Sequence, residues 1–214
     1  MSLSLIAETG LVAIIRGTEE EYLIPVVEAL AEGGCKAVEV TCNTPGAIEM
    51  ISKLRDSFGK ELLIGAGTVL DRETARLAIL AGAQYILMPH FSKEVVEIGN
   101  LYGKDVIPGV MSPTEITQAL QLGVKMVKVF PASTLGAEYF SNILGPYSNL
   151  QMMAVGGINL KNAADFLRAG AIALGIGSDL VNNKIVQDGR YNEIKRKTEQ
   201  YLKIIREVRK GGDG

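Results

Sequence analysis

Residues 105–130, DVIPGVMSPTEITQALQLGVKMVKVF, contain one complete unit of the pattern from which the fold can be predicted. The apolar run Asp105–Val110 is followed by Ser112–Glu115, where a serine and a glutamate stand at the spacing of a capping box and a proline occupies the first turn. The helical segment ends at Gly123, and a second apolar run, Met126–Phe130, follows. We therefore predict a strand, a helix and another strand.

The same alternation recurs along the whole chain. Each run is apolar on both faces, which indicates strands of a parallel sheet that helices cover on both sides. The runs are Leu11–Arg16, Ala37–Cys42, Leu62–Gly67, Tyr85–Pro89, Asp105–Val110, Met126–Phe130, Met152–Gly156 and Ala171–Gly177. Eight such units predict an α/β protein with a (β/α)8 TIM barrel. An open doubly wound sheet is the alternative, but the first run lacks the G-x-G-x-x-G glycines typical of that fold.

Other helices also have start and stop signals. Thr18 is followed three residues later by Glu21, again the capping-box spacing, and Asp71 is a candidate N-cap. Pro45 follows Thr44 as a first-turn proline would. Glycines that can take the left-handed conformation end the helices at Gly33-Gly34, Gly82, Gly123 and Gly170.

The composition predicts a single compact domain over residues 1–214. The chain is 47% hydrophobic and 21% charged, and a charged amphipathic stretch at about 191–209 predicts an outer C-terminal helix. A net charge of −2 and the absence of tryptophan argue against a nucleic-acid partner. Since no apolar run reaches the roughly 18 residues of a membrane span, we expect no membrane partner.

The cysteines and the histidine do not suggest a metal site. Cys35 and Cys42 form no CxxC pair, and His90 is the only histidine. We interpret both thiols as reduced and packed. Together with an N-terminus that lacks the regions of a signal peptide, they favour a cytoplasmic protein.

Lys128 breaks the apolar pattern of its strand. Strand alternation places Met126, Lys128 and Phe130 on one face, and the two valines between them on the face that packs against helices. Lys128 is therefore expected to point into the barrel near its mouth, where a desolvated, neutral amine can attack a carbonyl carbon. The alternative is a structural lysine that extends its ammonium to solvent.

Glu39 is the corresponding acidic residue. It lies in Ala37-Val38-Glu39-Val40-Thr41, where alternation sends Glu39 inward and both valines outward. A buried carboxylate near a lysine is the pair that acid–base chemistry at an imine requires. The alternative is a structural ion pair with an inward lysine or arginine, including Lys128 itself.

Two polar residues follow other strands at the same end. Arg16 ends the first run, where a guanidinium could bind a substrate carboxylate; a solvated loop arginine is the alternative. Thr68 closes Gly65-Ala66-Gly67-Thr68, where its hydroxyl could hold a keto-acid oxygen; a helix N-cap or turn residue is the alternative.

Two glycine-rich turns follow the last two runs. Gly156 and Gly157 follow the seventh run, and Gly177 and Ser178 follow the eighth. Barrels frequently bind phosphate at these two loops, through free backbone N–H groups and a helix N-terminus. Turns that need glycine only for their geometry are the alternative.

Five segments, in this order along nearly the whole chain, resemble the KDPG/KHG aldolase family. They are Val38–Thr41, Gly65–Leu70, Ile107–Val110, Lys128–Ala132 and Gly156–Ile158. Members of that family cleave 2-keto-3-deoxy-6-phosphogluconate, and often 4-hydroxy-2-oxoglutarate. The pairing of Lys-x-Phe-Pro-Ala with Glu-Val-Thr is the most specific part of the resemblance.

The resemblance implies a class I aldolase that uses neither metal nor cofactor. Lys128 would form a Schiff base with pyruvate or the keto-acid substrate, and Glu39 would move the protons. Thr68 would bind the carboxylate region, while Pro89 and Phe130 would form the apolar wall beside the imine. The phosphate would lie at Gly156, Gly157, Gly177 and Ser178. The resemblance further implies a cytoplasmic homotrimer.

Two positions depart from the family pattern. Many members carry an arginine four residues after the glutamate, where this chain has Asn43; Arg16 matches an arginine of other members and is expected to serve in its place. The residue after Pro89 is often glycine in the family and is His90 here. A sugar-phosphate isomerase or epimerase on the same barrel, and a non-catalytic sugar-phosphate sensor, are the alternative functions.

Overall fold

The computed structural model describes residues 2–211 as a parallel barrel surrounded by helices. The strands are β1 Leu11–Ile15, β2 Ala37–Thr41, β3 Leu63–Gly67, β4 Tyr85–Leu87, β5 Asp105–Ile107, β6 Gly109–Val110, β7 Met126–Val129, β8 Gln151–Val155 and β9 Ala171–Ile176. Their order in the sheet is β5-β4-β3-β2-β1-β9-β8-β7-β6, and every pair is parallel. This arrangement confirms the predicted barrel.

Helices lie between the strands. They are α1 Ser2–Thr9, α2 Glu20–Glu32, α3 Ala47–Phe58, α4 Arg72–Leu80, α5 Lys93–Leu101, α6 Pro113–Gln121, α7 Ala132–Leu135, α8 Ala137–Leu144, α9 Ala163–Arg168, α10 Asn183–Gln187 and α11 Tyr191–Gly211. The longest of these, α11, lies in the region where the amphipathic stretch predicts a C-terminal helix. The first, α1, precedes the first strand and has no counterpart in the sequence prediction.

The fifth predicted strand is divided into β5 and β6. Pro108 lies between them and has no N–H to donate to a ladder. Its carbonyl accepts from the Lys128 N–H at 2.8 Å, whereas the Ile107 carbonyl accepts from the Met88 N–H at 3.2 Å. The two carbonyls therefore bond to opposite neighbours, and the two short strands together fill one position of a nearly closed barrel.

Two apolar layers form the core. The larger layer joins the outward side chains of the strands to the helices, and it includes Val127 and Val129. The smaller layer fills the barrel interior and includes Met126 and Tyr85, with Phe130 packed against it. The predicted alternation of the strand around Lys128 is therefore confirmed.

Most predicted helix ends are correct, and two starts are wrong. Ser112 and Asp71 accept the backbone N–H groups of Glu115 and Thr74, as N-caps do. Gly34, Gly82, Gly123 and Gly170 all have positive φ just beyond their helices.

The two wrong starts are those at Thr18 and Thr44. Thr18 is buried before α2, which begins at Glu20, and its hydroxyl is too far back to cap the helix. The Thr44 hydroxyl instead accepts from the Gly17 N–H at 2.9 Å, while Gly46 precedes α3. Pro45 therefore lies outside the helix. In both cases tertiary contacts of the loop override the local signal.

Candidate active site

The polar side chains predicted from the strands meet at the carboxyl end of the barrel. Lys128 of β7 and Glu39 of β2 are both buried, at 3% and 0% exposure. Their neighbours in the sheet are small or apolar: Gly109 lies beside Lys128, and Gly65 lies beside Glu39. A buried charge among such neighbours is costly unless it is paired or used.

The glycine pattern of β3 makes room for the Glu39 carboxylate. A Cβ atom at Gly67 would overlap the carboxylate, and a Cβ atom at Gly65 would overlap the ring of Tyr85. The Tyr85 hydroxyl donates to the Val38 carbonyl at 2.8 Å, so the ring stays beneath the site as its floor. Sequence reasoning missed these supporting roles, although the two glycines within one strand were a visible signal.

Burial raises the pKa of the Glu39 carboxyl, while the charges of Lys128 and Arg16 oppose that shift. Within residues 2–211, neither carboxylate oxygen has a hydrogen-bond partner. Glu39 therefore lies within electrostatic reach of Lys128 without the hydrogen-bonded ion pair that a structural role would provide. A buried carboxylate with free oxygens is suited to accept and return a proton.

Burial also lowers the pKa of Lys128, and the charge of Arg16 adds to this effect, whereas Glu39 opposes it. The ammonium nitrogen lies 5.0 Å from the centre of the Phe130 ring. Phe130 is half-buried and joins the interior apolar layer. An amine that loses its proton easily and lies beside an apolar wall has the properties of a carbonyl nucleophile.

Arg16, Asn43 and Thr68 come together at the mouth. Arg16 donates through Nη1 to Asn43 Oδ1 at 3.3 Å and through Nη2 to Thr68 Oγ1 at 3.1 Å. Thr68 has φ of 54°, and it is the only non-glycine residue with positive φ in the described chain. Such a backbone is unfavourable for a β-branched residue and is typical of functional sites. These three residues lie on three consecutive strand ends and form one polar group.

The two glycine turns lie at the same end of the barrel. The Gly156 carbonyl accepts from the Ser133 N–H at 3.0 Å, and a Cβ atom at Gly156 would lie 3.1 Å from the Phe130 ring. The first turn therefore lies beside the apolar wall. Gly156 and Gly157 have φ of 95° and 73°, which favour glycine.

The second turn follows β9 and is more open. The Gly177 carbonyl accepts from the N–H groups of Leu180 and Val181 at 2.8 and 2.9 Å. Ser178 is exposed, and a Cβ atom at Gly177 would have only one neighbour, 3.9 Å away. The turn thus has space above it for a ligand.

Pro89 and His90 follow β4. The backbone of Pro89 is so close to Gly109 that a Cβ atom there would clash with it. Pro89 is half-buried and His90 is exposed. Cys42 is half-buried next to the site, and burial raises the pKa of its thiol to about 11, which keeps the thiol protonated.

Residues 2–211 contain neither a cluster of metal-ligating side chains nor a membrane-spanning helix. In that part of the chain, no three histidine, cysteine or acidic side chains gather where they could hold a metal ion. None of its helices combines the length and the apolar character that crossing a bilayer demands.

Comparison with known proteins identifies close relatives of this arrangement. The aldolase family model described as KDPG and KHG aldolase matches residues 3–197. A 2-dehydro-3-deoxy-phosphogluconate aldolase of Treponema pallidum is 36% identical over 186 residues, 86% of this chain and 88% of the relative. A 2-dehydro-3-deoxy-6-phosphogalactonate aldolase of Escherichia coli is 36% identical over 171 residues, 79% of this chain and 83% of the relative.

One solved structure also shows a reaction intermediate. It is the KDPG aldolase of Legionella pneumophila with pyruvate captured at low pH as a covalent carbinolamine. It superimposes on this chain with a TM-score of 0.86 at 30% identity, and the match covers 92% of this chain and 95% of that one. The likeness thus extends over the whole barrel.

Proposed function

The chain belongs to the KDPG and KHG aldolase family, and we propose that it is a class I aldolase that reversibly cleaves 2-keto-3-deoxy-6-phosphogluconate to pyruvate and glyceraldehyde 3-phosphate. We extend the proposal to 4-hydroxy-2-oxoglutarate, which would yield pyruvate and glyoxylate. The proposal rests on the buried pair of Lys128, which has a lowered pKa, and Glu39, whose carboxylate oxygens have no hydrogen-bond partner within residues 2–211.

The first half of the reaction forms the imine. The neutral amine of Lys128 attacks the C2 carbonyl carbon of the substrate, and the oxygen takes up a proton to give a carbinolamine. Glu39, which burial keeps ready to hold a proton, donates one to the departing hydroxyl, directly or through a water. Water leaves, and a protonated imine joins C2 to Lys128 Nζ.

The second half breaks the carbon chain. The Glu39 carboxylate accepts the proton of the C4 hydroxyl, the C3–C4 bond breaks, and the aldehyde leaves. The bonding electrons remain as an enamine on C3, which Glu39 protonates. Hydrolysis of the resulting imine releases pyruvate and restores the amine. The protonated imine accepts the bonding electrons as the C3–C4 bond breaks, so these steps need no further electron-accepting group.

The polar group at the mouth is suited to the substrate carboxylate. Arg16 already bonds Asn43 and Thr68, and its guanidinium keeps further N–H donors for an anion. Pro89 and Phe130 supply the wall beside the imine. The backbone N–H groups of Gly156, Gly157 and Gly177, with the Ser178 hydroxyl, would hold the phosphate.

The two alternative functions are not favoured. A sugar-phosphate isomerase or epimerase would use the same two loops without an imine, and a sensor would have little use for a buried lysine and carboxylate. The relatives are named as aldolases instead.

Borohydride reduction with pyruvate tests the proposal. It should add one reduced pyruvate to the wild-type chain at Lys128, as mass spectrometry of peptides would show. A cleavage assay that follows pyruvate release should then rank the gluconate-derived substrate, its galactonate-derived epimer and 4-hydroxy-2-oxoglutarate. An adduct at another lysine, or no adduct and no pyruvate from any substrate, would contradict the function.

We also propose a homotrimer that works in the cytoplasm. Exposed apolar side chains gather on the packed helices α4 and α5, where Leu80 and Leu101 are 61% and 74% exposed. Tyr102 lies beside them and accepts from Arg76 Nε at 3.1 Å. A patch of this kind is typical of a protein interface. Sedimentation equilibrium should give three times the chain mass, and a single-chain mass would contradict the trimer.

A further inference from the structure

Helix α11 holds the turn after β9 from the side. Asp179 directly follows the two residues of this turn to which we assign phosphate binding. Its Oδ2 atom accepts from the Tyr201 hydroxyl at 2.6 Å, and its backbone carbonyl accepts from Lys197 Nζ at 2.5 Å. The same ammonium lies 3.6 Å from Oδ2. Both partners belong to α11 and are distant in sequence from the strand ends that carry the reaction.

Within residues 2–211, the Tyr201 hydroxyl makes its side-chain hydrogen bond to Asp179 and to no other group. The side chain is fully buried in the outer apolar layer. Burial raises the pKa of Tyr201, as does the hydrogen bond to Asp179, so the hydroxyl remains a donor throughout the neutral range. A phenylalanine would fill the same space without reaching Asp179.

The negative charge of Asp179 gives a physical reason for its contacts with Tyr201 and Lys197. A carboxylate one residue after Ser178 would repel a phosphate dianion if it were free to approach it. Tyr201 fixes the carboxylate by a hydrogen bond, and Lys197 compensates its charge. The Leu180 and Val181 N–H groups close the turn on the Gly177 carbonyl, and Tyr201 and Lys197 bond Asp179 next to it.

We propose that Tyr201, assisted by Lys197, is a positioning residue that holds Gly177, Ser178 and Asp179 in the conformation that binds the substrate phosphate. The inference rests on the proposed function and deepens it. Tyr201 lies in the outer apolar layer, away from the reacting atoms, and acts through its hydrogen bond to Asp179.

Tyr201→Phe tests this, because it removes the hydroxyl and keeps the ring. We expect the KM for 2-keto-3-deoxy-6-phosphogluconate to rise about tenfold, near the lower end of what one lost hydrogen bond to a charged group costs. The exchange of pyruvate methyl protons with solvent, followed by NMR, should keep its wild-type rate. That exchange needs Lys128 and Glu39 but no phosphate.

Two further variants make the result specific. Lys197→Met, at a partly exposed position, should raise the same KM by a smaller factor. Thr198→Val is the matched control on α11: its buried hydroxyl donates only to the Ile194 carbonyl of the same helix, so the KM should not change.

Several outcomes would overturn the inference. An unchanged KM in both Tyr201→Phe and Lys197→Met would show that the turn does not depend on α11. A loss of proton exchange in proportion to cleavage would assign the hydroxyl to general stability. If the wild-type protein itself showed neither exchange nor cleavage, the proposed function would fail, and this inference with it.

Discussion

The two ends of the barrel differ in how their polar and charged groups are paired and buried. At the amino end, α1 covers the opening, and its side chains Leu3 and Ile6 join the interior apolar layer. Arg209 of α11 donates to the carbonyls of Ala7, Glu8 and Ile172, which ties the two ends of the chain together there. Here Arg209 is paired with three carbonyls, and the apolar side chains of Leu3 and Ile6 are buried.

The carboxyl end of the barrel contains buried charged groups and an unfavourable backbone conformation. Glu39 is buried and has no hydrogen-bond partner among residues 2–211, Lys128 is buried with a lowered pKa, and Thr68 has a left-handed backbone. Each of these features costs folding free energy. We infer from this difference that the closed end stabilises the barrel, so that the open end can hold groups in reactive states.

The largest effect should come from Lys128→Ala. Without the amine no imine can form, so kcat for pyruvate release should fall on the order of 10⁴- to 10⁶-fold, as when other enzymes lose a covalent nucleophile. Borohydride should then trap no adduct. Lys125→Ala is the matched control, since Lys125 is exposed just before the same strand and should leave both measurements unchanged. Comparable activity in the two variants would remove Lys128 from the chemistry.

Glu39→Gln should produce the next largest effect. A side chain that cannot exchange a proton should slow cleavage by about 10²- to 10⁴-fold, the usual contribution of general acid–base catalysis. Imine trapping, given time to reach its end point, should remain. Glu49→Gln, on the exposed face of α3, should behave as wild type. Equal loss of trapping and cleavage would point to a structural role for Glu39.

Ile6→Ala tests the closed end. Ile6 is fully buried against the barrel interior, so the truncation should lower the free energy of unfolding by about 2–5 kcal/mol. Folded protein should retain its kcat, because the reacting groups lie at the other end. Denaturant titration and a cleavage assay at low temperature would measure the two quantities. Leu5→Ala, at a half-buried position of α1, should cost less. A large fall in kcat would show that the two ends are coupled.

The smallest effect concerns pH. Because burial raises the pKa of Glu39, its protonated form contributes stability that is present below pH 4.5 and is lost as the pH rises through the folded pKa. Glu39→Gln should therefore be more stable than wild type at neutral pH, with a smaller difference at pH 4. Urea titrations at both values would measure this. A variant less stable than wild type at neutral pH would mean that the carboxylate is stabilised in the fold.

Much of the site followed from the chain of residues alone. The two-residue period of a strand placed Lys128 and Glu39 inward, and the parallel topology placed Arg16, Thr68 and the glycine turns at one end. In the structure Lys128, Glu39 and Arg16 influence one another electrostatically, and Arg16 bonds Thr68. These predictions succeed because they depend on local period and chain order.

Other features depend on residues that are far apart in the chain. The helix starts predicted at Thr18 and Thr44 are wrong because Thr18 is buried and the Thr44 hydroxyl accepts from the Gly17 N–H of a neighbouring loop. Helix α1 is too short for its sequence pattern to show that it covers the barrel. The contact of Tyr201 with Asp179 joins a helix to a turn that follows another strand. No local pattern encodes such pairs.

The barrel, the strand faces and the family could all be predicted from the order of residues, because periodicity and motif order are properties of the chain. The fold in three dimensions is needed to see that Glu39 has no hydrogen-bond partner within the described residues, that Lys128 lies beside Phe130 and that Tyr201 of α11 bonds Asp179. Desolvation and hydrogen bonding depend on what surrounds a group in space, and that is fixed only once every strand has found its neighbours.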